Sequence, residues 1–247
     1  MRAPALVALL VVLAGCGASG TTAEDRITVF AAASLTEAFT RLGEDFEAAN
    51  PGVDVMFNFG GSSALARQIG QGAPADVFAS AAAANMAQVV DAGGTAAEPV
   101  TFARNRLAIA VPAGNPAGIT GLAGFADDAA KIALCAQEVP CGAAAKRAFE
   151  AAGVVARPDT VEQDVKAVLT KVRLGEVDAA LVYRTDVASA AGEVEGIGFP
   201  EADRTVNDYP IAPLAKARNA AGARAFVAHV RSDRGRAVLA GAGFDAP

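Results

Sequence analysis

Two rhythms of apolar and polar positions alternate along this chain. "RITVFAAA" is an apolar run of strand length, and "LTEAFTRLGEDFEAAN" repeats its apolar residues at three- and four-residue spacing before stopping at Asn50-Pro51-Gly52. The first predicts a strand and the second an amphipathic helix. The same pair of patterns returns in "VDVMFNF" and "SSALARQIGQG", then in "ADVFASA" and "AANMAQVVDAGG", where a glycine pair closes the helix. Strands alternating with helices in this way predict a mostly parallel α/β sheet.

An extended segment, "TFARNRLAIAVPAGN", breaks the alternation, and a fresh α/β run follows: "GLAGFADDA", "KIALCA", "CGAAAKRAFEAAG", "VEQDVKAVLTKVRLGE" and "VDAALVYRTDV". Near the end "VNDYPIAPLAKA" is again extended, and "GARAFVAHVRSDRGRAVLAGAGF" reads as a pair of helices. Two lobes follow from this order: residues 26–103 with 208–247 as lobe I, and 104–207 as lobe II. The chain crosses near residues 100–107 and returns near 205–212, so the crossings form a hinge and the groove between the lobes a ligand site.

With 247 residues and 53% hydrophobic composition the chain can bury a substantial core. At the N-terminus one Arg precedes an apolar run from Ala3 to Ala14, too short to span a bilayer comfortably and of the length of a signal-peptide core. Its ending, "LAGC", resembles a bacterial lipobox, so residues 1–15 are expected to be removed and Cys16 to carry a lipid, with residues 16–25 as a small polar tether. The alternative is a plain signal peptide cleaved nearby. Either way the remainder is extracytoplasmic. In that oxidising compartment Cys135 and Cys141 form an even pair, read as a disulfide or as two buried thiols.

The formal net charge of −6, without any long Lys/Arg run, argues against a nucleic-acid partner. Enzyme signatures are missing too: there is no G-x-S-x-G, P-loop, G-x-G-x-x-G or metal-ligand cluster. The single histidine, His229, lies in "AFVAHVR" far from any Ser or Cys elbow and reads as a packing or surface residue. Asp76, in "APADVFAS", reads as a hydrogen-bonding residue at a turn or strand end.

An acidic protein can still hold an anion locally through backbone dipoles. Four predicted helix starts carry small or hydroxyl residues: Ala33-Ser34, Gly61-Ser62-Ser63, Val139-Pro140-Cys141-Gly142, and Asp164-Val165. In an α/β sheet such turns lie along one edge, where their N–H groups can converge on a single crevice. Ser34 has a competing local role, because Ser34 and Glu37 fit the S-x-x-E capping box.

The blocks "ITVFAAASLTEAF", "FNFGGSSALARQI", "GAPADVFASA", "EVPCGAAAKRAF", "QDVKAVL" and "ALVYRTDV" followed by "YPIA" together resemble the periplasmic molybdate-binding proteins of ABC transporters, in order and over essentially the whole mature chain. The resemblance implies the two-lobed type II periplasmic-binding-protein fold. It also implies a monomeric receptor that carries molybdate, and tungstate with it, to a membrane permease. Its ligand positions fall on the hydroxyls of Ser34 and Ser62, the backbone N–H groups of Cys141 and Val165, and the hydroxyl of Tyr183.

That set suits a fully deprotonated oxyanion, which presents acceptors only, whereas hydrogen phosphate would need an acceptor that these residues lack. Sulfate meets the same donor test, so a sulfate receptor, or an enzyme acting on a sulfate or phosphate ester, is the competing reading. Three positions depart from the family pattern. Cys141 stands where a small residue is usual; Gly60-Gly61 leaves open whether Ser62 or Ser63 faces inward; and Arg184 is either solvated or an anion attractor at the mouth.

Overall fold

The computed structural model describes residues 25–247, so the expected signal peptide (1–15), the expected lipid acceptor Cys16 and nearly all of the expected tether lie outside the described residues. The chain begins with β1 (Arg26–Ala32), α1 (Thr36–Ala49), β2 (Asp54–Gly60), α2 (Ser62–Gly70), β3 (Val77–Ala79), α3 (Ala83–Asp91) and β4 (Val100–Asn105). It continues through β5 (Leu107–Pro112), β6 (Ile132–Cys135), α4 (Pro140–Ala152), β7 (Thr160–Glu162), α5 (Val165–Arg173), β8 (Ala179–Tyr183) and α6 (Arg184–Ser189). The last elements are β9 (Val194–Ile197), β10 (Asn207–Pro213), α7 (Ala220–Val230) and α8 (Asp233–Gly241).

The strands form two five-stranded sheets, ordered β2-β1-β3-β10-β4 and β7-β6-β8-β5-β9. Each sheet is parallel except for one reversed strand. In the first, β10 runs antiparallel to both β3 and β4; in the second, β5 runs antiparallel to both β8 and β9. These reversed strands lie at the crossovers: the chain leaves the first sheet after Asn105, enters the second at Leu107, and returns at Asn207. Period-2 patterning cannot distinguish a reversed strand from a parallel one when both faces are buried. The segment "GLAGFADDA" contributes only a 3-10 turn, Leu122–Ala126, and Thr160–Glu162 is a short edge strand rather than the start of α5.

Local chemistry accounts for the helix starts. Pro140 occupies the first position of α4, where its missing N–H costs nothing, and Asp164 caps α5 by accepting from the N–H of Ala167. On its inner face α1 buries Ala38, Phe39, Leu42 and Phe46, and each Phe or Leu contributes roughly 1.5–3 kcal/mol over its exposed state. Phe39 lies edge-on or tilted against Phe57, Phe102 and Phe226, so lobe I has an aromatic core. The second core is built mostly from Ala, Val, Leu and Ile over β5, β6 and β8. Asp76 ties lobe I together: its carboxylate accepts from the N–H groups of Thr28, Arg218 and Asn219.

Candidate functional site

In both sheets the strand C-termini feed the helix starts singled out in the sequence. Ala32, Gly60, Cys135, Glu162 and Tyr183 are the last residues of β1, β2, β6, β7 and β8. The turns after them meet around one small cavity between the sheets, lined by Ser34, Ser62, Cys141, Val165 and Tyr183. The space open to the centre of a water-sized sphere is about 10 Å³, room for one small group.

The N–H groups of Ser62, Cys141 and Val165 belong to the first turns of α2, α4 and α5, where no preceding helical carbonyl is available to them. With Ser34 they give a cavity bounded by positive helix ends from both lobes. Ser63 is buried but does not line the cavity, so Ser62 is the serine that faces it.

The hydroxyls are oriented by groups behind them. Ser62 Oγ accepts the N–H of Ala81 at 3.0 Å, which leaves its proton free to point elsewhere. Tyr183 Oη accepts from Asn207 Nδ2 at 2.8 Å. Ser34 Oγ shares a 2.8 Å hydrogen bond with Tyr209 Oη, and Asn105 Nδ2 approaches that phenol oxygen at 3.5 Å. When Tyr209 donates to Ser34, all three cavity hydroxyls have an acceptor position filled by the protein and a proton to give. Burial pushes both phenols up from their ordinary range, with the mutual proximity of the tyrosines and Asp186 adding to it for Tyr183, so both stay protonated at neutral pH.

Asn207 and Tyr209 were not apparent as site residues from the sequence, because they lie on the returning strand β10 and reach the cavity only through tertiary packing. Asn207 also donates to the carbonyls of Ala81 and Pro140 and accepts from Arg147, so it joins both lobes behind Tyr183.

Three local readings are corrected or decided. The Ser34–Glu37 capping box does not form: a 3-10 turn, Ala33–Leu35, runs directly into α1, Ser34 bonds Tyr209, and the Glu37 carboxylate pairs with Lys166. Tertiary partners outcompete the local cap. The lining is not free of carboxylates, since Asp164 borders the cavity, but its Oδ1 is engaged by the N–H of Ala167. Arg184 is partly solvated and does not line the cavity: its Nε donates to the Gly243 carbonyl and its guanidinium pairs with Asp245.

Cys141 is bonded to Cys135, which ties the first turn of α4 to the end of β6. The adjacent Gly142 is obligatory there, because a Cβ would sit 1.9 Å from the Ala136 carbonyl oxygen. His229, on α7, packs edge-on against Phe46 of α1, away from the cavity lining. Among the described residues no cluster of His, Cys, Asp and Glu could hold a metal ion, and no helix is long and apolar enough to cross a membrane.

Residues 27–245 match the family of bacterial extracellular solute-binding proteins. The molybdate-binding protein ModA of Mycobacterium tuberculosis H37Rv is 47% identical over 221 residues, covering 90% of this chain and 85% of that protein. The protein of that name from Escherichia coli K12 is 31% identical over 234 residues, covering 90% and 89%. Among solved structures, the periplasmic molybdate-binding protein of Azotobacter vinelandii shares the fold with a TM-score of 0.73 at 20% identity, over 90% of this chain and 99% of that one. The sulfate-binding protein SubI of M. tuberculosis H37Rv does so at 0.72 and 18%, over 90% and 86%. The chain thus belongs to the bacterial extracellular solute-binding proteins, in the family of the molybdate-binding protein ModA.

Proposed function

We propose that this protein captures molybdate, and tungstate with it, in the cavity between its lobes and delivers the ion to an ABC importer, without catalysing a reaction. The observation that carries this reading is the polarity of the lining. Ser34, Ser62 and Tyr183 offer protons, and the N–H groups of Cys141 and Val165 offer two more from helix starts. A dianion with no proton of its own accepts all of these. Desolvating it is costly, and charge-assisted hydrogen bonds of about 1.5–3 kcal/mol each, with the helix dipoles, offset that cost. Hydrogen phosphate would set its own proton against any of these five donors, leaving only Asp164 to accept it. No histidine faces the cavity, and the one carboxylate on its lining, Asp164, accepts the Ala167 N–H through Oδ1 as its helix cap.

The donors come from both lobes, so closure about the crossovers completes the shell and opening releases the ion. Cys16 is proposed as the lipid anchor that keeps the receptor at the outer face of the membrane, where its partner is the importer's permease, and the receptor is proposed to act as a monomer. Calorimetry of the mature protein against molybdate, tungstate, sulfate and phosphate tests the ligand. Tight, stoichiometric binding of molybdate and tungstate with weak or no phosphate binding is expected. Heat from sulfate without heat from molybdate would make this a sulfate receptor instead.

A further inference from the structure

Lys166 breaks a local rule. It follows Val165 in the first turn of α5, where a cation opposes the helix dipole, and its Nζ is drawn into a three-way contact. Within lobe II it meets the fully buried Asp186 at 3.3 Å and Ser189 Oγ at 3.0 Å. Across the cleft it meets both oxygens of Glu37, at 2.7 and 2.9 Å. Asp186 is committed from its other side, where Oδ2 accepts the N–H of Tyr183. The ammonium is therefore anchored in lobe II by Ser189 and by Asp186, which also holds Tyr183, while its contact in lobe I is an exposed carboxylate one turn beyond Ser34. Neither Glu37 nor Lys166 lies on a crossover strand.

We propose that Lys166 is the closure latch of the cleft: held ready by Asp186 and Ser189, it grips Glu37 only when the lobes are shut, and so sets how fast a captured anion escapes. The role in ion release rests on the oxyanion-capture reading above. Lys166 touches no ligand in this scheme and acts by positioning α5 against α1. Because the pair forms after closure, it governs release rather than encounter.

The test uses Glu37→Gln, a substitution at an exposed site that leaves Asp186 paired, in a chain carrying spin labels at Met56→Cys and Val155→Cys, both exposed and one on each lobe. Pulsed dipolar distances with and without molybdate report closure, and a chase with excess unlabelled molybdate reports release. Relative to the parent, Glu37→Gln is expected to widen the ligand-free distances and to speed release about fivefold with an unchanged capture rate. Lys166→Arg, which keeps the charge and leaves Asp186 paired, should retain slow release. Unchanged distances, an unchanged release rate, or a loss that falls on capture overturns the latch. If the parent binds neither molybdate nor sulfate, the functional reading fails separately, and the ligand-free distances alone decide the latch.

Discussion

Asn207 donates its side-chain amide to the Tyr183 hydroxyl across 2.8 Å, from the returning crossover strand to the last residue of β8. The amide fills an acceptor position on the phenol and leaves the phenolic proton for the cavity. Tyr183→Phe should therefore weaken molybdate binding by about 10- to 100-fold, the range of one charge-assisted hydrogen bond. Asn207→Ala should weaken it less, and the losses in the double variant should be less than additive. Calorimetric affinities of the three variants check this; additive losses would show that Asn207 acts independently of the tyrosine.

Ser34→Ala separates ligand binding from helix capping. Ser34 caps nothing in this structure, so its loss should cost only the hydrogen bond with Tyr209, about 1 kcal/mol of unfolding free energy. Affinity should fall by at least about tenfold. Urea unfolding and calorimetry on the same preparation give both numbers, and unchanged affinity would remove Ser34 from the site.

These residues show what was legible in the sequence. The helix starts at Ser62, Cys141 and Val165 announce themselves through small residues, an N1 proline and an Asp cap, because backbone donors are a local property. Ser34 was legible as a cavity residue but not in its partner, since S-x-x-E is satisfied locally on paper while Tyr209 stands 175 positions away. Asn207 and Tyr209 carry no local signal. Their role comes from β10 running against its neighbours into lobe I, and strand direction is not encoded in apolar periodicity. The second function of Glu37 was hidden in the same way, behind a partner 129 positions off.

Asp186 should imprint a pH dependence on stability. Burial, countered in part by Lys166 and the Tyr183 N–H, raises its carboxyl to about 6 from an ordinary 3.8. The folded state thus holds a proton that the unfolded chain has lost between those values. Its contribution to stability is full below about pH 3.8 and is lost as pH rises through about 6. The difference amounts to about 3 kcal/mol. Asp186→Asn should abolish this component, so the variant's unfolding free energy relative to the parent should rise between pH 4 and about 6.5. A pH-independent difference between the two would mean that the carboxylate is not strained by its burial.

Gly61 offers a way to prop the cleft open without touching a donor. It ends the turn before α2 in lobe I, yet a Cβ there would lie 2.3 Å from the Gln163 carbonyl oxygen and 2.8 Å from Val139 Cγ1, both in lobe II. The clash with Gln163 is with backbone, which cannot rotate away. Its own φ of −62° suits any L-residue, so Ala is unstrained within lobe I. Gly61→Ala should therefore fold normally and lose little in melting temperature when no ion is present. Its molybdate affinity should drop by more than about tenfold, because the N–H groups of Cys141 and Val165 can no longer meet Ser34 and Ser62 around one ion. Small-angle scattering should show an open form that molybdate fails to compact. Wild-type affinity with normal compaction would mean that the lobes close by a path in which Gly61 and Gln163 never approach.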